Sequence, residues 1–313
     1  MEVLTSVDAD RIAALRARDE FFWLDLMRPA PAELDQAGEL LGLHPLARED
    51  SREFAQRPKL DRYPDTVLLV YWSARITDNG LAVEPVEVHL HISGGFLLTV
   101  RHTACLELDS LHAELRDGPI AEDYVIYKVL DALTDAIYPV IDHLETRIDA
   151  LEAAVLNEVR QPQLGQIHRL KQEVQQVQRR IAPQREQFPA ASAAILQLPG
   201  LERGSREYLR DIGDHLVQVA GELGRQTDDL TTLTSTFFNA NASRLNRLAT
   251  RLTVMATFFL IWTLVTSFFG QNFRWLTDHV DSFEAFLLYE GLTLVIPTIV
   301  AAVYFWRRRK EWW

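Results

Sequence analysis

The feature that most constrains this chain is an apolar stretch near its C-terminus, Thr253–Gly270 (TVMATFFLIWTLVTSFFG), which contains no charged residue. With Leu252 in front, it approaches the ~20 apolar residues with which a helix crosses a hydrocarbon core of ~30 Å. A second apolar run, Phe283–Trp306, is interrupted only by Glu284 and Glu290. The sequence therefore predicts two membrane helices joined by a short loop.

The charges that flank these two runs predict their orientation. Arg244, Arg247 and Arg251 precede the first run, and the basic residues of 307–310 follow the second. The positive-inside rule places such clusters on the cytoplasmic side. The N-terminal residues lack the apolar core of a signal peptide. We therefore expect a multi-pass protein of the inner (cytoplasmic) cell membrane, with both termini in the cytoplasm.

The composition argues against several classes of function. The formal net charge of -12 disfavours nucleic acid as a partner and suits cations. A single cysteine, Cys105, excludes a zinc site made of several thiolates. The sequence has no glycine loop for phosphates, nucleophile elbow or cysteine pair, so we expect no enzymatic activity. His89 and His91 share one face of a predicted strand, but without a third ligand they are predicted to be structural.

The N-terminal part alternates strand-like and helix-like segments. Thr66–Ile76 and Val86–Ile92 are rich in β-branched residues, and the residues of 78–80 (DNG) are a strong hairpin signal. These features predict a small α/β domain with antiparallel strands. Strand signals then disappear, and helices are predicted over Ala121–Asn157 and Gln163–Gln187.

A long segment without proline, Ser205–Phe269, leads into and through the first apolar run. Its apolar residues repeat at a spacing of three or four, at Leu209, Ile212, Leu216, Val219 and Leu223. This spacing predicts one continuous helix with a packing seam. Because a single long helix cannot bury such a seam by itself, we expect symmetric self-association.

Together these signals predict an α+β fold, with a cytoplasmic α/β N-terminal domain and a stalk helix that continues into the first of two transmembrane helices. The predicted segments are 1–120 for the α/β domain, 121–203 for a cytoplasmic helical hairpin, 204–250 for the stalk helix, 251–270 for the first transmembrane helix, 271–282 for an extracytoplasmic loop, 283–306 for the second transmembrane helix and 307–313 for a basic cytoplasmic tail.

The first apolar run carries polar and small residues at a helical spacing. They are Asn246, Thr250, Thr253, Thr257, Thr263, Ser267 and Gly270, with Leu260 in the middle. One interpretation is a column that lines a pore. The other is that these hydroxyls bond the carbonyl four residues back or hold helices together, as Thr and Ser often do in membranes. The spacing alone favours neither interpretation.

Several motifs resemble one family over essentially the whole chain, in order. The first run ends in Gly270-Gln271-Asn272, and the upstream stretches are LHPLARED at 43–50, QRPK at 56–59 and YLRDIGDH at 208–215. Together with two short spans and a basic C-terminus, they resemble the CorA family of divalent-cation channels, whose signature is Gly-Met-Asn. The resemblance implies a homopentamer in which the first spans line the pore.

The resemblance also implies roles for individual residues. The selectivity filter would consist of Gly270, Gln271 and Asn272. The pore would be lined by Asn246, Thr253, Ala256, Leu260, Thr263 and Ser267. Leu260 would be an apolar constriction that gates by dewetting. Asp211 would hold a regulatory metal ion, with Asp78 as a candidate partner. A solvated helix face, or a salt bridge to Arg210 or Lys171, stays open as an alternative for Asp211.

The expected function is transport of Mg²⁺, and of Co²⁺ or Ni²⁺, gated by intracellular metal. Mg²⁺ would be both cargo and regulator, with no organic cofactor, and the partners would be further copies of the chain, divalent cations and the lipid bilayer. Gln271 and Glu290 favour an alternative, a zinc transporter of the ZntB type with coupling to protons. A third option is a metal-sensing membrane scaffold that conducts nothing. Glu290 would pair with Arg274, bind protons, or lie at the membrane interface.

Overall fold

The computed structural model describes residues 1–77, 79–115, 122–201, 206–271, 274–280 and 282–312. The chain forms two compact units, Met1–Thr234 and Ser235–Trp313.

The first unit contains a mixed β-sheet. Its strands are β1 (Glu2–Leu4), β2 (Phe22–Met27), β3 (Lys59–Arg62), β4 (Val67–Ile76), β5 (Val83–Ile92) and β6 (Phe96–Arg101), in the order β1-β2-β6-β5-β4-β3. The strands from β6 to β3 are antiparallel, as predicted. The prediction is wrong for β1 and β2, which pair in parallel with each other and with β6. A helix connects β1 to β2, and such a crossover returns the chain in the same direction.

The helices are α1 (Ala9–Ala17), α2 (Pro31–Leu41), α3 (Pro45–Arg52), α4 (Leu106–Glu114), α5 (Glu122–Asp135), α6 (Ile137–Asn157), α7 (Gln161–Ile195), α8 (Arg206–Phe269), α9 (Arg274–His279) and α10 (Phe283–Trp312). The single helix predicted over Ala121–Asn157 is wrong, because the structure has two helices that meet at Ala136. Pro139 falls in the first turn of α6, where its missing N–H costs nothing. The predicted helix Ser205–Phe269 corresponds to α8.

The apolar seam of α8 is buried within the first unit. Leu209, Ile212 and Leu216 join the core that contains Phe188 of α7 and Leu133 of α5. Val219 and Leu223 are also fully buried. The prediction that this seam requires a second copy of the chain is therefore wrong, because helices from the same chain already cover it.

Gln184 attaches α7 to strand β4 next to the point where the edge strand β3 begins. The Trp72 N–H donates to Gln184 Oε1 at 2.5 Å, and Gln184 Nε2 donates to the Trp72 carbonyl at 2.8 Å. β3 pairs with β4 only as far as Val70, so the Gln184 side chain continues the hydrogen bonding beyond this end of the edge strand. Both residues are buried.

Replacing Gln184 with leucine should therefore lower the free energy of unfolding by about 2–4 kcal/mol, because two buried backbone groups lose their partners. Chemical unfolding of the detergent-solubilised protein, followed by circular dichroism, measures this loss. Gln176→Leu is the matched control, since Gln176 lies exposed on the same helix. Equal stability of the two variants would contradict this role for Gln184.

The two histidines of β5 are structural, as predicted. His91 Nε2 lies 2.7 Å from Ser51 Oγ, and His89 Nε2 lies 2.9 Å from Glu87 Oε1. The His89 ring also stacks on Phe54, with centroids 4.5 Å apart. Both histidines are fully buried. Burial, with a smaller contribution from His89, lowers the pKa of His91 to about 3.

Acid should destabilise the first unit through His91. The pKa of His91 is lowered from 6.5, its ordinary value, to about 3 in the folded chain. Between these two pH values the unfolded chain binds the proton more readily than the folded chain does. The free energy of unfolding therefore decreases as the pH is lowered. From about pH 7 to about pH 5, we expect His91 to remove about 2 kcal/mol. Unfolding at a series of pH values should show a shallower slope for His91→Leu than for His168→Leu, in which an exposed histidine is lost. Identical slopes would contradict the prediction.

Candidate functional site

Two helices among the described residues are long and apolar enough to cross a membrane. One apolar window lies in α8 and the other in Phe283–Arg307 of α10, each with a mean hydropathy of 1.9. Neither window contains a buried residue. These helices correspond to the two apolar runs in the sequence, and their exposed apolar surface fits a lipid environment.

One face of α8 packs against α10 within the second unit. The rings of Phe258 and Phe305 have centroids 6.1 Å apart, and those of Phe269 and Phe286 lie 6.2 Å apart. Trp262 Nε1 donates a hydrogen bond of 3.1 Å to Thr298 Oγ1. The two helices therefore run antiparallel.

The predicted pore-lining residues lie on another side of α8. All of them are exposed, namely Asn246, Thr253, Ala256, Leu260, Thr263 and Ser267, as are Gly270 and Gln271. The half-buried positions of the span are Thr250, Val254, Thr257, Phe258, Ile261, Val265 and Phe269. At about 100° per residue, the two sets centre about 130° apart around the helix. Thr250 and Thr257 therefore do not belong to the exposed column, so the prediction is wrong for these two residues.

The threonine hydroxyls of the exposed column bond to the helix backbone. Thr253 donates to the Ala249 carbonyl at 2.9 Å, and Thr263 donates to the Phe259 carbonyl at 2.7 Å. This is the local bonding that the alternative interpretation predicts. Since each bond uses only the hydroxyl hydrogen, the oxygen lone pairs remain able to accept a hydrogen bond from a hydrated cation. The local bonds and a role in a pore are therefore compatible.

The helix α8 ends just before the predicted filter. The Gly270 N–H donates to the Thr266 carbonyl at 2.9 Å, and the Gln271 N–H donates to the Phe268 carbonyl at 3.2 Å. A Cβ at Gly270 would lie 3.2 Å from the Thr266 oxygen, a tight contact. The described glycines with positive φ are at positions 42, 80 and 200, so Gly270 is not a left-handed helix cap. Asn272 lies outside the described residues.

Asp211 lies in an acidic cluster between α5 and α8. His215 Nε2 is 3.9 Å from Asp211 Oδ1, and its Nδ1 is 4.0 Å from Asp131 Oδ1 and 3.9 Å from Asp135 Oδ1. Ligand atoms of Asp131, Asp135 and His215 all lie within 4.8 Å of one another, so this group could hold a metal ion. The Tyr127 hydroxyl donates to Asp211 Oδ2 at 3.3 Å.

The electrostatics of this cluster favour a bound cation. The pKa of Asp131 is raised, mainly by burial and to a smaller extent by the charge of Asp135. Burial, followed by the charges of Asp131 and Asp211, raises the pKa of Tyr127 to about 12. Within the described residues, His215 Nδ1 is buried without a hydrogen-bond partner. An unbonded imidazole nitrogen beside three carboxylates can coordinate a divalent metal.

Asp131, Asp135 and His215 were not predicted from the sequence as members of this site. A signal was present, because Asp131 and Asp135 are four residues apart on one helix, as are Asp211 and His215. The predicted partner Asp78 lies outside the described residues. The alternative of a salt bridge to Lys171 is wrong within the chain, because Lys171 Nζ donates to Thr231 Oγ1 at 2.8 Å, and Thr231 lies about 30 Å further along α8 than Asp211.

The family described as "CorA-like Mg2+ transporter protein" matches residues 18–309 of the chain. The chain belongs to this family. Its members are divalent-metal transporters of membranes, and the two apolar helices of this CorA-like chain fit that assignment. The resemblance stated from the sequence motifs is thereby confirmed.

Some relatives of this chain are named for the transport of cobalt and magnesium, and others are named for the transport of zinc. The chain is 25% identical, over 98% of its length and 88% of the relative's, to the "Cobalt/magnesium transport protein CorA" of Thermotoga maritima. It is 23% identical, over 99% of its length and 92% of the relative's, to the "Zinc transport protein ZntB" of Yersinia pseudotuberculosis. The solved structure of the CorA magnesium transporter from Methanocaldococcus jannaschii has a TM-score of 0.77 and 18% identity, covering 93% of this chain and 91% of that one. The α/β domain followed by long helices is thereby confirmed.

A second group of potential metal ligands in this CorA-like chain is already paired with a positively charged side chain, that of Arg101. Asp25, Asp109 and His112 lie close together on one side of the sheet. Arg101 Nη2 lies 2.7 Å from Asp25 Oδ2 and 2.5 Å from Asp109 Oδ1, and Asp25 and Arg101 are buried. The guanidinium neutralises these carboxylates. Burial opposes the ionisation of Asp25, but the neighbouring His112 and Arg101 lower its pKa overall. This network is structural rather than a metal site.

Proposed function

We propose that this chain forms a homopentameric channel that conducts Mg²⁺, and also Co²⁺ or Ni²⁺, across the cytoplasmic membrane, with both termini in the cytoplasm. The observation that supports it is the exposed column on α8. Its polar members, Asn246, Thr253, Thr263 and Ser267, lie away from α10. Amide and hydroxyl groups are costly against lipid, so this face requires neighbouring copies and water.

The outer mouth is proposed to be a ring of Asn272 side chains, with Gly270 and Gln271 beneath it. Mg²⁺ gives up its water shell reluctantly. Amide oxygens can accept hydrogen bonds from these waters without removing them. A ring of carboxylates would bind more tightly, whereas conduction requires weak binding. Neutral amides at the end of a charge-free span suit such a filter.

The pore proper is proposed to narrow at Leu260, the apolar member of the exposed column. An apolar ring excludes water when narrow and thereby gates the pore. Ala256 lies beside it on the column, and Asn246 supplies a polar ring toward the cytoplasm. Leu260 is 69% exposed in the single chain, so it is free to face copies of itself.

Regulation is proposed to come from Mg²⁺ bound at Asp211. In the chain itself, Asp131, Asp135 and His215 would supply the surrounding ligands. Asp78 stays a candidate for a further ligand. Five copies that each carry a formal charge of -12 repel one another, and bound divalent ions reduce this repulsion. Loss of the ions would release a closed state, so the cargo inhibits its own transport.

A second candidate function is zinc transport. It is favoured by relatives named for zinc transport that match nearly the whole chain. The imidazole in the Asp211 cluster also fits zinc, which accepts nitrogen ligands. Gln271, where the CorA signature has methionine, is a further departure that favours this candidate. In this second candidate function, the transport of Zn²⁺ would be coupled to the movement of protons.

Ion flux into proteoliposomes that contain the full chain separates these functions. Mg²⁺ and Zn²⁺ uptake are measured in parallel at fixed membrane potential, with and without a pH gradient. Flux of Mg²⁺ that needs no pH gradient supports the channel. Zn²⁺ flux that requires a pH gradient supports the second candidate instead. Absence of both fluxes would contradict transport and leave the non-conducting metal-sensing scaffold.

A further inference from the structure

Three arginines lie on α8 just before its apolar run. They are Arg244, Arg247 and Arg251, and all three are exposed. Their spacing of three and four residues places them on one side of the helix, within an arc of about 60° and over a length of about 10 Å. From Leu230 to the end of α8 the sequence contains no acidic residue. This side of the helix is therefore strongly positive, although the chain as a whole has a formal net charge of -12.

The basic side of α8 is not the side that carries the proposed pore column. At about 100° per residue, the three arginines centre about 180° from the exposed column and about 50° from the half-buried positions of the span. The half-buried positions are the ones that pack against α10. The arginines therefore lie next to α10, on the outer surface of the proposed channel, where a ligand from the surrounding membrane can reach them.

The C-terminal end of α10 adds positive charge at the same end of the helix pair. The ring of Phe305 contacts that of Phe258, with centroids 6.1 Å apart. Arg307 follows two residues after Phe305, and Arg251 precedes Phe258 by seven residues. Because the two helices are antiparallel, Arg251 and Arg307 both lie at the end of the pair where α8 enters the span. The sequence continues with three further basic residues at 308–310.

The depth of these arginines corresponds to that of lipid headgroups. The charge-free run from Leu252 to Gly270 spans about 28 Å as a helix, which fills the hydrocarbon core. The headgroup region extends about 5–8 Å beyond the core on each side. Arg251 is the residue next to the run, and Arg247 lies about 6 Å further along the helix axis. Both side chains are therefore within reach of lipid phosphates.

An exposed apolar surface continues from these arginines into the span. Met255 and Trp262 lie on the same side of α8, about one and three turns beyond Arg251, and both are exposed. On α10, Trp306 is exposed next to Arg307, and tryptophan is enriched at membrane interfaces. A ligand that follows this surface has an anionic head and apolar chains, as an anionic phospholipid has.

We propose that Arg247 and Arg251 of α8, together with Arg307 of α10, bind the phosphodiester of an anionic phospholipid on the outer surface of the channel. A guanidinium donates two parallel hydrogen bonds to phosphate oxygens. Among the described residues, the Arg247 side chain has neither an ion pair nor a hydrogen bond, so its donors can serve a ligand. Basic residues between membrane helices at the cytoplasmic side are typical of sites for anionic lipid headgroups. The inference rests on the proposed membrane location of the second unit and not on which ion is conducted.

The test is native mass spectrometry of the detergent-solubilised full chain, titrated with phosphatidylglycerol or with phosphatidylcholine. The wild type should bind phosphatidylglycerol more tightly than phosphatidylcholine. Arg247→Gln and Arg251→Gln should each raise the Kd for phosphatidylglycerol about fivefold, because a basic residue near the membrane surface contributes about that factor. The Kd for phosphatidylcholine, which has no net charge, should stay unchanged in both variants.

Two control variants separate this site from a general effect of charge. Arg247→Lys keeps the charge but loses the planar fork, so it should raise the Kd less than Arg247→Gln does. Arg274→Gln removes a positive charge at the opposite end of the span and should leave the Kd unchanged. Arg274 lies 3.7 Å from Asp278 and forms no pair with Glu290 among the described residues, so that predicted alternative is wrong.

Equal affinity of the wild type for the two lipids would overturn the proposal, as would an unchanged Kd in the double variant of Arg247 and Arg251. An equal rise of the Kd in Arg274→Gln would also overturn it. Complete displacement of the lipid by excess inorganic phosphate would assign the site to phosphate instead of a lipid. Because binding is measured without transport, a chain that binds phosphatidylglycerol but conducts no divalent ion would contradict the proposed function alone. A chain that conducts but shows no preference between the lipids would overturn this inference alone.

Discussion

Replacing Asn272 with alanine is expected to reduce Mg²⁺ flux about tenfold or more and to weaken the discrimination between Mg²⁺ and monovalent cations. In the proposed pentamer the change removes an entire ring of amide oxygens. Each lost hydrogen bond to a water of the ion costs roughly 0.5–1.5 kcal/mol, and about 1.4 kcal/mol corresponds to a factor of ten. Uptake into proteoliposomes, with Mg²⁺ and Na⁺ in competition, measures both quantities.

The controls for this prediction use the same type of change elsewhere. Asn157→Ala alters an exposed asparagine at the end of α6, in the first unit, and should leave flux unchanged. Asn272→Gln keeps the amide but lengthens the side chain, so it should retain more selectivity than alanine. If Asn272→Ala conducts and selects as the wild type does, the filter is not at Asn272.

The two apolar helices were predictable because their signals are local. The run Thr253–Gly270 has no charge, and the absence of proline from Ser205 onward extends the helix upstream. Each signal depends only on the residues that form the helix, so α8 begins and ends within one residue of its predicted limits. The position of Glu290 within the second apolar helix was also predictable, because the sequence shows it as a charged residue inside an apolar run.

Features that depend on tertiary packing were not predictable. The apolar seam of α8 has the spacing of a self-association surface. The spacing does not indicate whether helices of the same chain or of a second copy pack against the seam. Leu209 and Leu216 are in fact buried against α5 and α7 of the same chain. Likewise, the parallel addition of β1 and β2 follows from a crossover and not from the composition of the strands.

The Asp211 cluster shows the same limit at the candidate site. Asp211 was identified through its motif, but its neighbours Asp131 and Asp135 come from another helix, about 80 residues earlier in the chain. Helical spacing places each pair on one face of its own helix. Only the packing of α5 against α8 brings the two faces together, and the sequence carries no local signal for that packing.

Regulation is expected to fail when the charge at Asp211 is reversed. In Asp211→Lys, an ammonium group would lie beside His215 and the carboxylates of α5, where it replaces the bound cation. The Mg²⁺ concentration on the cytoplasmic side that halves the flux should therefore rise about tenfold or more, since loss of a metal ligand typically costs at least that factor in affinity. Flux is measured against the Mg²⁺ concentration on that side.

Two further variants separate metal binding from a general change of charge. Asp228→Lys makes the same substitution at an exposed position of α8 and should leave the half-inhibitory concentration unchanged. His215→Ala removes the imidazole but keeps all the carboxylates. Because Mg²⁺ prefers oxygen ligands and Zn²⁺ accepts nitrogen, His215→Ala should weaken inhibition by Zn²⁺ more than inhibition by Mg²⁺. Unaltered inhibition in Asp211→Lys would place the regulatory metal elsewhere, and equal shifts for both ions in His215→Ala would exclude the imidazole as a ligand.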